Sequence, residues 1–204
     1  MALELEIADV RAGDVLLCFS NMTAEEELAN GTGYSHTAIA LTGQRALEAS
    51  NMGVRVISLA SLLDDYDHIA VLRNTELWDQ SRLQSLEDFA AQVSGKKFNY
   101  LGLKKFPERK EQYQADLMER VEGYFEGTEP EVTSARGVYF CSELTTSAFI
   151  HVGIIEKSAA VVFTPETFSP SDIAMDKVFG FFCGYVRSHP GYVVPDADYF
   201  KSSV

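Results

Sequence analysis

Between residues 15 and 72 the chain carries four or five short apolar or alternating runs, each closed by a turn signal. They fall at 15–19 after Gly13-Asp14, at 35–41 and 45–50 around Gly43, at 54–59 and at 68–72. Runs this short, packed into about 60 residues with short connections, predict strands in an antiparallel meander. One connection is long: residues 20–33 are polar, hold Glu25-Glu26-Glu27 and two glycines, and read as a solvated loop.

Past residue 80 the period changes. Leu83, Leu86, Ala90 and Val93 step by three and four, and Gly95 can close that helix. Pro107 can open a second helix with Tyr113, Leu117, Val121 and Phe125 on one stripe, and 126–137 reads as a loop. A third helix is expected over 141–152, with Leu144, Ala148 and Val152 inward and Gly153 as its stop. Pro165, Pro170 and Ser171-Asp172 mark another loop, 177–186 a last apolar strand, and the tail from Ser188 reads as extended and loosely held. Strands, then helices, then one returning strand make an α+β pattern, and 204 residues suit a single domain, 1–204, ending in an extended segment over 188–204.

Charge and cysteine usage narrow the function classes. Seventeen Lys and Arg against 30 Asp and Glu give −13, a surface that repels phosphate backbones and anionic lipid, so nucleic acid and membrane surfaces are poor partners. No run approaches the roughly 20 apolar residues of a transmembrane segment, and the acidic start MALELEIADVRAGD lacks the basic and apolar regions of a secretory signal. Cys18, Cys141 and Cys183 form no CxxC pair, which argues against a zinc site or a disulfide framework and for a reducing, cytoplasmic location. Gly31–Thr32–Gly33–Tyr34–Ser35–His36 is not a dinucleotide fingerprint, because His36 replaces its third glycine and a strand follows. No phosphate loop and no HExxH occur, so no cofactor and no metal are expected.

Chemistry points to Cys141. As the first residue of a helix it meets unpaired backbone N–H groups and their partial positive charge, which stabilise a thiolate. A thiolate nucleophile needs an imidazole with an orienting acceptor. His68 follows three aspartates in a polar turn and reads as surface; His189 lies in the tail. His151, ten residues along the same helix, is roughly 15 Å away. His36 remains, opening a strand whose alternation sets His36, Ala38 and Ala40 on one face and Thr37, Ile39 and Leu41 on the other. With a three-residue turn centred on Gly43, His36 faces Ser50 and Glu48 is diagonal to it on the same face. That face is otherwise small, so the Cys141 helix is expected to pack on it.

At these residues the chain resembles the circularly permuted branch of the NlpC-type papain-fold amidases and peptidases, the YiiX-like group. The matching segments are Gly13-Asp14-Val15-Leu16-Leu17, Ser35-His36-Thr37-Ala38-Ile39, Leu47-Glu48-Ala49, Tyr139-Phe140-Cys141-Ser142-Glu143-Leu144 and Thr164-Pro165. They span residues 13–186. The resemblance implies a permuted papain-like core over that span, an antiparallel sheet packed against helices with the catalytic Cys at a helix N-terminus. It implies Cys141 as nucleophile, His36 as base and Glu48 as the orienting third member. The activity implied is hydrolysis of an amide in a small peptide, amide or acyl-chain substrate through an acyl-enzyme. The alternatives are an acyltransferase or lipid-acyl hydrolase of the lecithin–retinol acyltransferase type and a non-catalytic binding module. Where the family commonly has a tyrosine near the site, this chain has Phe98; Tyr34 and Tyr100 are the candidates to supply that hydroxyl to a substrate.

Overall fold

The computed structural model describes residues 3–20, 33–128 and 136–202, so most of both polar loops expected at 20–33 and 126–137 lies outside the described residues. Seven strands build one sheet: β1 (Glu4–Leu5), β2 (Val15–Phe19), β3 (Tyr34–Leu41), β4 (Arg45–Ser50), β5 (Gly53–Ser58), β6 (His68–Arg73) and, after a two-stranded ladder of β7 (Lys97–Phe98) with β8 (Val138–Tyr139), β9 (Phe181–Arg187). Their order is β1-β9-β6-β2-β3-β4-β5. The meander is antiparallel as expected, with β9 returning antiparallel to β6; β1 runs parallel to its neighbour β9, as does β7 to β8 in the small ladder.

Among the described residues the helices are α1 (Leu59–Leu63), α2 (Gln80–Val93), α3 (Tyr100–Lys104), α4 (Phe106–Ala115), α5 (Leu117–Glu126), α6 (Cys141–His151), α7 (Pro170–Met175) and α8 (Tyr199–Ser202). On one face of the sheet Val15, Leu17, Ile39, Leu41, Leu47 and Ala49 meet Leu86, Phe89 and Ala90 of α2 and Leu144 and Ala148 of α6. On the other, Leu16, Ala38, Ala40, Ala46 and Val71 are covered by Leu59, Leu62 and Leu63 of the short α1. Alternation along the strands thus feeds two cores of different depth.

This division corrects the expected packing of the Cys141 helix. α6 lies on the Thr37–Ile39 face, where Thr37 Oγ1 meets Thr145 Oγ1 at 3.0 Å, and not on the face that bears His36. The alanines instead admit the close-packed leucines of α1, while the long helix takes the larger side chains. Ten of the eleven residues of α6 are buried, including Thr145, Thr146 and Ser147.

Other expectations change as well. The stripe over 107–125 does not form one helix: Asp116, in the bridge region of backbone space, ends α4 and begins α5, neither helix buries a residue, and Phe125 is exposed. The Pro-Ser-Asp signals near 170 belong to α7, where Ser169 and Asp172 cap each other, because turn formers and N-cap formers are the same residues. Residues 177–179 form a 3-10 turn ahead of β9.

The tail is held. Asp198 is buried and accepts from the hydroxyls of Tyr34 (2.8 Å) and Tyr185 and from the Phe200 N–H (3.0 Å), with His68 Nε2 at 3.2 Å. His68, expected at the surface, is fully buried beneath the tail, its Nδ1 3.1 Å from the Tyr192 hydroxyl and its ring stacked on Phe19. The acids at 64, 65 and 67 suggested a solvated turn; the strand begins at His68 itself, and the tail then covers it.

Candidate active site

Cys141 is the first residue of α6, after an extended Phe140. The helix starts there because Glu143 reaches back: its Oε2 accepts from the Phe140 N–H at 3.1 Å and from Asn99 Nδ2 at 3.0 Å, and its Oε1 lies 3.2 Å from Arg136 Nη1. Burial pushes the Glu143 carboxyl up, against the opposing pull of Asn99, the Phe140 N–H and Arg136. Glu143 therefore works as a buried cap that fixes where Cys141 sits.

β3 and β4 meet in the register expected from the sequence. Ala38 faces Glu48 and Leu41 faces Arg45, the register in which His36 lies opposite Ser50 and Glu48 diagonal to His36. His36 Nε2 is 2.8 Å from Glu48 Oε2. Its other ring nitrogen is left for Cys141, whose thiol interacts with the imidazole and with the backbone N–H groups of Thr37 and Ser142. Tyr66 stacks on the far side of the ring, with centroids 5.5 Å apart and planes 7° from parallel.

Thr37 explains how a helix on one face reaches a histidine on the other. Ala40 exchanges hydrogen bonds with Gly13 and Asp14 on the β2 side, so the N–H groups of Thr37, Ile39 and Leu41 point toward β4. The β3–β4 ladder stops at Ala38–Glu48. One residue beyond it, the Thr37 N–H has no partner in that ladder and lowers the Cys141 thiol pKa together with His36, so helix and histidine interact at the end of the ladder.

The electrostatics follow from this arrangement. Burial raises the Cys141 thiol, but hydrogen bonds and charge from His36, with the two N–H donors, outweigh it and hold the thiol below its usual range. Burial alone would lower His36; its bonds and charge interactions with Cys141 and Glu48 instead raise it to about 9. Glu48 is pushed up by burial and more than compensated by His36 and Arg55. Around neutral pH the arrangement favours a thiolate–imidazolium pair backed by a carboxylate. Cys141 itself is only 8 % exposed.

The five candidate residues thus divide. Cys141, His36 and Glu48 come together. Tyr34 does not join them: it is fully buried, its hydroxyl is spent on Asp198, and burial with that carboxylate raises its pKa. Tyr100 is exposed at the start of α3 and donates to the Asn51 carbonyl at 3.2 Å. Phe98 pairs with Tyr139 across the β7–β8 ladder. A fourth member was missed. Arg55 stands opposite Glu48 on β5 and donates from Nε to Oε1 at 2.7 Å. The two-residue turn at Asn51-Met52 fixes that pairing, and the register arithmetic used for the first hairpin would have found it in the second.

Comparison with known families places the chain. The model of the permuted papain-like amidase enzymes, the YaeF/YiiX or C92 family, matches residues 9–121. The chain belongs to that family. The matched stretch contains His36, Glu48 and Arg55 and ends before Cys141. The fold is also similar to the crystal structure of metalloprotein yiiX from Escherichia coli O157:H7, with a TM-score of 0.49 and 15 % identity over 89 % of this chain and 90 % of that one. A search of curated proteins found no match. Among the described residues, no three His, Cys, Asp or Glu side chains are grouped to hold a metal ion, and no helix is long and apolar enough to cross a membrane.

Proposed function

We propose that this permuted papain-like amidase is a cysteine hydrolase that cleaves an amide bond through an acyl-enzyme on Cys141, with His36 as acid and base and Glu48 as its orienting partner. The observation that carries the reading is the buried chain of contacts from sulfur to imidazole to carboxylate, with Glu48 2.8 Å from His36 Nε2. Residues 13–186 form the catalytic core of one domain, with the segment from 188 as its docked tail.

The Cys141 thiolate attacks the carbonyl carbon, and the oxygen takes the negative charge. The Cys141 N–H, which has no hydrogen-bond partner among the described residues, is the candidate donor to that oxygen. His36 gives its Nδ1 proton to the departing amine as the C–N bond breaks, leaving a thioester. The neutral imidazole then takes a proton from water; hydroxide adds, the C–S bond breaks, and the acid leaves with the thiolate restored. Glu48 holds the ring with Nδ1 toward sulfur and supports its positive charge in both halves of the cycle.

The test uses an amide and an ester of one acyl chain, with and without an amine acceptor, and follows the intact mass of the protein. The reading expects amide hydrolysis, a mass increment on Cys141 that hydroxylamine removes, and loss of both in Cys141→Ser. Transfer to the acceptor in preference to water would make it an acyltransferase. Absence of any increment with either acyl donor would make it a binding module.

A further inference from the structure

The net charge of −13 hides an island of opposite sign. Residues 96–110 hold six of the chain's 17 Lys and Arg and a single acid, Glu108, so this stretch is +5 while the whole is strongly acidic. Two of the six are engaged within the fold: Lys96 bonds the Arg136 carbonyl and Lys110 pairs with Asp172. Lys97, Lys104, Lys105 and Arg109 are exposed and have no ion-pair partner among the described residues. Total charge measures long-range repulsion, but docking at a surface is decided within a Debye length, about 8–10 Å in physiological salt.

Apolar side chains are interleaved with these cations. On α3, Tyr100, Leu101 and Leu103 are 60 %, 73 % and 48 % exposed, and only Gly102 is turned inward, against Asn99. Residues three and four apart share a helix face, so Tyr100, Leu103 and Lys104 form one exposed stripe and Leu101 and Lys105 the next. The Tyr100 hydroxyl on the Asn51 carbonyl ties this ridge to the β4–β5 turn, where Met52 is 74 % exposed. The ridge is firmly based: Asn99 caps α3 and bonds Glu143 in the first turn of the Cys141 helix. Exposed aliphatic and aromatic groups flanked by exposed lysines fit an interface that is anionic outside and hydrocarbon within. A polyanion such as RNA would be served by the lysines alone and leaves the leucines unexplained.

We propose that the α3 ridge, with Lys97, Lys104, Lys105 and Arg109 around Leu101 and Leu103, is a peripheral docking surface for an anionic phospholipid bilayer. It holds independently of the catalytic assignment, because it is read by binding alone.

The full chain is sedimented with vesicles of phosphatidylcholine alone and of phosphatidylcholine with about 30 % phosphatidylserine, at about 0.1 M and about 0.5 M salt. Binding is expected only to the anionic vesicles and is lost at the higher salt. Each lysine contributes about fivefold to partitioning, so Lys104→Glu/Lys105→Glu weakens it at least twentyfold. Leu101→Ser/Leu103→Ser weakens it at least tenfold with an unchanged melting curve, since neither leucine is buried. Lys157→Glu, an exposed cation elsewhere, changes partitioning less than threefold. The proposal is overturned if the wild-type chain ignores anionic vesicles, if Lys157→Glu costs as much as the ridge lysines, or if the leucine variant partitions normally. A labelled single-stranded RNA that binds the ridge while the leucine variant retains full vesicle partitioning would reassign it to polyanions.

Discussion

Replacing Glu48 by Gln keeps shape and removes one charge from a row of alternating signs. Glu48 is buried between His36 at 2.8 Å and Arg55 at 2.7 Å, so the substitution leaves imidazolium and guanidinium facing each other across a neutral amide. Two unit charges about 4 Å apart interact by roughly 4 kcal/mol at an effective dielectric constant near 20, or about three pKa units at 1.36 kcal/mol each. Relaxation and water at the half-exposed Arg55 reduce this, and a fall of about two units is expected, from about 9 to about 7. The readout is the pH dependence of Cys141 alkylation by limiting iodoacetamide, with peptide mapping. In the wild type the fully charged thiolate–imidazolium pair should persist to about pH 9; in Glu48→Gln its upper limit should move toward 7, with amide turnover at neutral pH at least tenfold lower. Arg55→Met is the opposite perturbation. It removes a cation from the neighbourhood of the imidazolium and should leave that limit at or above its wild-type position. An unchanged profile in Glu48→Gln, or full turnover, would refute the role given to Glu48.

The three thiols should separate in the same experiment. Cys141 labels first, half-buried Cys183 more slowly, and Cys18 not at all in the folded protein, since burial holds Cys18 well above the usual thiol range. Asp198→Ala strands His68 and the hydroxyls of Tyr34 and Tyr185 in the core; a cost of about 3 kcal/mol and a melting temperature about 6–12 °C lower are expected by calorimetry. Burial raises Asp198, but His68, Tyr185 and Tyr34 bring it below its usual 3.8, and Glu48 is likewise held below 4.5. Both therefore stabilise the fold above those values and lose that contribution as pH falls through their depressed folded values. Acid unfolding of Asp198→Asn should accordingly show a shallower loss of stability below about pH 4 than the wild type.

Local chemistry made the strands legible and hid the helices' neighbours. The runs at 15–19 and 45–50 match β2 and β4 residue for residue, because turn glycines and apolar content decide strand ends locally. Gly95 and Gly153, both at positive φ, end α2 and α6 as their positions suggested. The stripe at 113, 117, 121 and 125 is a real helical period, yet it meets no core, and nothing in its spacing states whether a partner exists. The burial of His68 is hidden for a related reason: three preceding acids describe the turn, whereas burial is supplied by Tyr192 and Asp198 from more than 120 positions away. Tyr34 failed as a substrate contact on the same account. Long-range partners of single polar side chains leave no periodic trace.

The placement of the Cys141 helix is hidden by a more specific feature of strand geometry. Adjacency in space does not require a shared face: His36 and Thr37 are consecutive and so point to opposite faces. The structure uses both. Thr37 sends its hydroxyl to Thr145 on the helix side, at 3.0 Å, while its N–H, in the plane of the sheet, interacts with the Cys141 thiol. His36 approaches that sulfur from the alanine side, where Glu48 and Tyr66 hold its ring. Such a meeting requires the β3–β4 ladder to end at Ala38–Glu48. Were the strands paired one residue further, the Thr37 N–H would be lost to the Ala49 carbonyl and the opening closed. A slip of one residue would instead turn His36 toward the helix face and Glu48 away from it. Register, ladder length and the helix start at Cys141 therefore act as one constraint on the candidate site, although its residues lie 105 positions apart in the chain.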